Sequence, residues 1–114
     1  MQFLLLLYDE PGAYDAVGED ERGALLEEYA RLGEALVVAN AYLAAGPLAP
    51  ASSARTVRVV DGAPCVTEGP AVDAAATLGG FYLIEASADE ALRWAARVPA
   101  ARFGPVEVRP VRGV

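Results

Sequence analysis

Glu68 and Asp73 stand on either side of the dipeptide Gly69-Pro70. Two carboxylates flanking a tight turn can work as general acid and general base once burial raises one pKa. The plainer alternative is that both are solvated loop acids. Tyr8, Tyr82 and Arg109 form a second set, two hydroxyls and a guanidinium that could fix an anionic or polar ligand at the tips of a pocket. Against that stands packing of the tyrosines in a core, with Arg109 paired across a sheet. Cys65 is the only cysteine, and with no histidine in the chain it lacks the usual base of a thiol nucleophile. It reads as a small residue on an edge strand. The same shortage leaves only carboxylates as metal ligands, and no acidic triplet has helpful spacing, so neither metal nor cofactor is expected. Gly79-Gly80 leads into a strand and not a helix, which is the wrong context for a phosphate loop.

These residues sit in a chain of 114, enough for one domain with its own core, which sets the expected domain at residues 1–114. It is 54% apolar and 22% charged, a globular composition. Sixteen acids against nine bases give a net charge of -7, and every base is an arginine. Such a field repels phosphate backbones and anionic lipid, so neither nucleic acid nor membrane is an expected partner. The apolar start, Met1 to Tyr8, has no basic flank and runs into Asp9-Glu10, unlike a signal peptide. No run reaches the roughly 18 apolar residues of a membrane span. A single cysteine gives no internal disulfide, and a cytoplasmic location is expected.

The elements that position the candidates follow from periodicity. Residues 2–8 and 81–84 are apolar on both faces, as expected of central strands covered on two sides. Between them the spacing predicts a polar loop from Pro11 to about Glu19 and a helix from Asp20 to Ala39. The helix carries a stripe of Leu25, Tyr29, Leu32, Leu36 and Ala39, and Asn40 is its left-handed cap. Tyr42 to Pro50 reads as extended chain broken at Gly46-Pro47. Thr56–Val60, Asp61-Gly62 and Ala63–Thr67 spell a β-hairpin, because Asp-Gly supplies the positive φ angles of a two-residue turn. Ser87 and Glu90 have capping-box spacing for a second helix. Its core side is expected to be Ala88, Ala91, Leu92, Ala95 and Val98, with Trp94 at the border, and Pro99 stops it. Val106 to Val111 is a last strand.

The order β-α-β-β-β-α-β is that of an α+β fold, a ferredoxin-like split βαβ with an added hairpin. Both helices should cover one sheet face. The central strands are apolar on the other face too, and a second copy is the simplest cover, which makes a homodimer the expected state.

Taken together, Glu68-Gly69-Pro70, Leu78 to Ile84, Trp94-Ala95-Ala96-Arg97-Val98-Pro99 and Val106 to Val111 resemble the YCII-related family, in the branch called DGPF-domain proteins. The likeness runs over nearly the whole chain, with its specificity in the C-terminal half. It implies a dimeric α/β barrel with a cleft near the family motif. Two departures stand out. The motif reads Glu68-Gly69-Pro70-Ala71, with a longer carboxylate and no phenylalanine ring. Enzymatic members of the wider group use a histidine with an aspartate, and without histidine that pair does not carry over. Asp73 occupies a position where relatives often have an acid.

The segments Glu68-Gly69-Pro70-Ala71 and Leu78-Gly79-Gly80-Phe81 bracket one loop. If it folds back, their small residues leave a concavity walled by Phe81, Tyr8 and Leu48, with Glu68 and Arg109 as polar tips. Three functions are compatible with this reading. The favoured one is a small-molecule-binding or regulatory module to which no catalysis is assigned. The alternatives are a histidine-free lyase or hydrolase-like enzyme, and an accessory protein of an extracytoplasmic-function sigma factor. The last is implied only by the resemblance.

Overall fold

The computed structural model describes residues 1–13 and 16–113, so residues 14 and 15 of the expected polar loop lie outside the described residues. Among the described residues the chain is a mixed α+β structure of two helices and six strands in two antiparallel sheets. β1 (Gln2–Asp9) leads to α1 (Glu19–Val38) and β2 (Tyr42–Pro47). A hairpin of β3 (Arg55–Val60) and β4 (Ala63–Glu68) follows, then β5 (Thr77–Glu85), α2 (Ala88–Arg97) and β6 (Val106–Pro110). The four-stranded sheet has the order β2-β5-β1-β6, and β3 and β4 form a separate ribbon. Each helix thus crosses between two strands that have a third strand between them. β5 and β1 are the central pair.

α1 forms where Leu25, Leu32 and Leu36 recur on one face, and all three are buried. Glu19, Asp20 and Glu21 occupy its first turn, where the helix dipole favours negative charge. Asn40, at φ 56°, ends it. The Ala41 N–H donates to the Leu36 carbonyl (2.9 Å) and the Asn40 N–H to that of Val37 (3.0 Å), the paired bonds of a Schellman ending. The core stripe therefore stops at Leu36. Ala39, expected on it, is exposed in the cap, and Ala41 takes the next core position.

α2 begins with a complete capping box. The Glu90 N–H donates to the Ser87 hydroxyl (3.2 Å), and the Ser87 N–H to the Glu90 carboxylate (2.9 Å). Hydrogen bonding from Ser87, by its backbone N–H first and its side chain second, holds the Glu90 carboxyl below its ordinary pKa. The buried stripe is narrower than the sequence suggests: Ala91, Ala95 and Val98 are buried, but Ala88 and Leu92 are exposed. Ala91, Ala95 and Val98 follow one another at steps of four and three, a single row along the helix.

β2 also departs from expectation. The strand runs through Gly46-Pro47 unbroken, and the Leu48 N–H still donates to the Gly79 carbonyl (2.9 Å). β2 is an edge, and N–H groups alternate in direction along a strand, so the ring nitrogen of Pro47 faces outward where no donor is needed. The hairpin is as expected, with Asp61 at φ 50° and Gly62 at φ 80° in its turn.

The core lies between the helices and one sheet face. Phe3, Leu5 and Leu7 of β1 point into it, opposite Ile84, Tyr82 and Gly80 of β5 and Pro110, Val108 and Val106 of β6. No helix of the described residues is long and apolar enough to cross a membrane.

Candidate functional site

Strand alternation puts the remaining side chains of β1, Leu4, Leu6 and Tyr8, on the sheet face that no helix covers. Register supplies their neighbours. Leu4 lies between Leu83 and Arg109, Leu6 between Phe81 and Glu107, and Tyr8 opposite Leu78. Ala44 and Gly46 of β2 extend the two rows past Leu83 and Phe81. The result is a half-buried apolar field bounded on β6 by an ion pair between Arg109 and Glu107. An apolar floor, a tyrosine and a guanidinium on one face can hold a small, mostly apolar molecule with one anionic group.

Two of the glycines shape the neighbouring edge in different ways. The register between β1 and β5 slips between Leu7 and Tyr8, which leaves Gly79 unpaired as a bulge. A side chain at Gly79 would fall on the carboxylate of Asp9. Gly80 is buried and belongs to the helix side of the sheet, where a Cβ would come within 3.2 Å of the Gly46 carbonyl oxygen. Its bareness serves the approach of β2. The ring of Phe81 lies across Gly46, again a position with no room to spare.

Of the residues expected to form a site, the structure gathers Tyr8, Phe81 and Arg109 on the uncovered face. Leu48 is joined to Gly79 through its backbone bond and is exposed at the sheet end. Tyr82, grouped with Tyr8 and Arg109 by residue type, faces the helices opposite Leu5. Burial there, and secondarily the nearby Tyr42, push its hydroxyl pKa up. Glu68 closes the hairpin as the cross-strand partner of Arg55, with an ion-pair distance of 3.8 Å between two exposed side chains. Gly69, at φ 93°, completes the turn: its N–H donates to the Ala54 carbonyl (2.7 Å), and its carbonyl accepts from the Thr56 hydroxyl (2.8 Å). Pro70 and Asp73 follow, both exposed. Cys65 is exposed on β4.

A cleft of about 80 Å³ opens on the helix side, lined by Asp9, Glu10, Leu25, Tyr29, Ala100 and Phe103 among others. Sequence reasoning missed it. The available signal was the acidic pair Asp9-Glu10 at the point where the first strand leaves the sheet. On the outer side of α2, Trp94 carries the Arg97 guanidinium over its ring at 4.8 Å. Among the described residues no three cysteine or carboxylate side chains gather as a metal site.

Comparison with known proteins places these features in a family. The model of the YCII-related domain matches residues 1–114. An uncharacterized protein of Rhizobium meliloti (strain 1021) is 31% identical over 114 residues, an alignment covering 97% of this chain and 92% of the relative.

Proposed function

This chain belongs to the YCII-related family, and on that premise we propose that it is a small-molecule-binding or regulatory module acting as a homodimer. The observation that carries this reading is the uncovered sheet face, where Leu4, Leu6, Phe81 and Leu83 form an apolar field beside Tyr8 and the Arg109–Glu107 pair. Strand order β2-β5-β1-β6 with two helices on one side supports a ferredoxin-like description. In such a sheet the uncovered face is free to meet a twofold copy, which would wall in a ligand held at the polar margin of the field. The ligand best matched to the lining is a small apolar molecule bearing a carboxylate or similar anion, which would displace Glu107 from Arg109.

Thermal unfolding against a panel of metabolites tests this. A true ligand at about 100 times its Kd stabilises by about 2.7 kcal/mol, which is about 10 °C for a chain of this size. The shift should disappear in Arg109→Ala and shrink in Phe81→Ala. A ligand whose shift survives both substitutions binds elsewhere, and the assignment to this face is then wrong.

A further inference from the structure

The hairpin β3–β4 has a surface that its own chain leaves open. Register puts Val57 opposite Val66 and Val59 opposite Pro64, so these four share one face of the ribbon, while Arg58 and Cys65 share the other. Val57 is 59% exposed, Val59 72% and Val66 60%. The ribbon is a sheet of its own, apart from the four-stranded one, and the chain is extended: the radius of gyration is 16.1 Å, against about 13 Å for a compact chain of this length. A lone two-stranded hairpin is marginally stable in water, and three exposed valines with a proline on one side are poorly placed there.

We propose that this hairpin is an arm that lays its Val57, Val59 and Val66 face onto a second copy of the chain. The inference rests on the homodimer of the preceding section and extends it to an element outside the sheet. Area is the argument for that occupant. Four strands at about 4.8 Å and about six residues at about 3.3 Å give the uncovered sheet face a projected area of roughly 380 Å². A stable interface takes about 800 Å² of accessible surface from each partner; accessible surface exceeds a footprint, so the sheet face supplies at least half. A ribbon two strands wide adds roughly 200 Å² by the same spacings. Under a twofold axis each copy gives one arm and receives another, so the ribbon counts twice per partner and brings the patch to about what a stable dimer needs. A charged lipid surface fits worse, since the chain carries a net charge of -7.

The test uses Val57→Lys with Val66→Glu. The two positions face each other across the ribbon, so the new charges form an opposite-sign pair that keeps the hairpin intact while making its apolar face polar. Leu4→Asp on the sheet face serves as the comparison. Sedimentation equilibrium should give a wild-type dimer and a monomer for Leu4→Asp. For the arm variant, dimer affinity should fall about 100-fold or more. Hydrogen exchange of wild-type amides 56–67, above and below the dimer dissociation constant, should show protection that appears only in the dimer. A wild-type dimer with unchanged affinity in the arm variant, or arm amides that exchange alike in both states, overturns the arm and leaves the dimer standing. A wild-type chain that stays monomeric at 100 μM (a concentration roughly typical for such work) overturns the dimer itself.

Discussion

Leu4 and Leu5 are neighbours on one strand with opposite surroundings, and substitutions there separate the core from the uncovered face. Leu5 is 1% exposed between Tyr82 and Val108. Leu5→Ala removes a buried side chain and leaves a cavity, a change that costs about 3 kcal/mol. With an unfolding entropy of about 0.24 kcal/mol/K for 114 residues, the melting temperature should fall by about 12 °C. Leu4 faces away, between Leu83 and Arg109. Leu4→Asp gives Arg109 a second carboxylate to pair with, so one chain tolerates it, whereas two charged faces cannot be pressed together. The assay is thermal unfolding over a range of protein concentrations. A dimer gains about 1.4 kcal/mol for each tenfold rise in concentration, or about 3 °C with the entropy of two chains. Leu5→Ala should lower the curve and keep that slope. Leu4→Asp should abolish the slope. If Leu5→Ala abolished the slope as Leu4→Asp does, or if the wild-type melting temperature were independent of concentration, the division of β1 into a core face and a partner face would be refuted.

Other expectations follow from single contacts. Ser87→Ala removes the hydroxyl half of the capping box and should cost about 1 kcal/mol, read by denaturant unfolding. Glu90 has its folded-state pKa lowered by the same box, so its contribution is present above the unfolded carboxyl pKa and is lost as pH falls through the folded value. Acid titration of a Glu90→Gln variant should therefore show a shallower loss of stability than wild type. Tyr82 has a raised pKa, so it contributes nothing below the unfolded tyrosine value; above that value the unfolded chain ionises first, and stability falls as pH rises. Ultraviolet titration should find Tyr82 ionising above the ordinary tyrosine range, and Tyr82→Phe should flatten the alkaline loss. Gly104→Ala sets a methyl group against the backbone carbonyl of Tyr8 and should cost about 3 kcal/mol. Gly79→Ala meets only the movable end of Asp9 and should cost about 1 kcal/mol by unfolding.

The sequence made most of the architecture legible because the signals were local. Asp61-Gly62 announces its turn, Ser87 and Glu90 announce a helix start, and Asn40 ends α1 by a conformation few other residues adopt. Strands apolar on both sides were readable as central, which is what β1 and β5 are. Faces were harder to read. Alternation says which residues of one strand go together, but only pairing says which face of the next strand they meet. Tyr82 was therefore grouped with Tyr8, although the register sends it to the core. Leu92 has a core-type side chain, but the buried stripe of α2 is one row wide and leaves it outside. The candidate site was half legible. Tyr8, Phe81 and Arg109 share a face, while Glu68 stands opposite Arg55 at the base of the hairpin.

The bulge at Gly79 ties these observations together. Without it, the register that pairs Leu6 with Phe81 and Leu7 with Gly80 would set Tyr8 opposite Gly79 and Asp9 opposite Leu78. The apolar field would end at a glycine, and a leucine would be forced beside a carboxylate. One extra residue in β5 moves Leu78 to the uncovered face next to Tyr8 and brings Thr77 opposite Asp9. As glycine, the extra residue leaves the Asp9 carboxylate in the space that a side chain would claim. The next glycine is small for another reason, since β2 crosses there with the Gly46 carbonyl. Leu78-Gly79-Gly80-Phe81 is thus a device for continuing an apolar surface past the end of regular pairing. Its product is a field running from Leu83 and Leu4 through Phe81 and Leu6 to Tyr8 and Leu78, on the one side of the sheet that the chain's own helices leave bare.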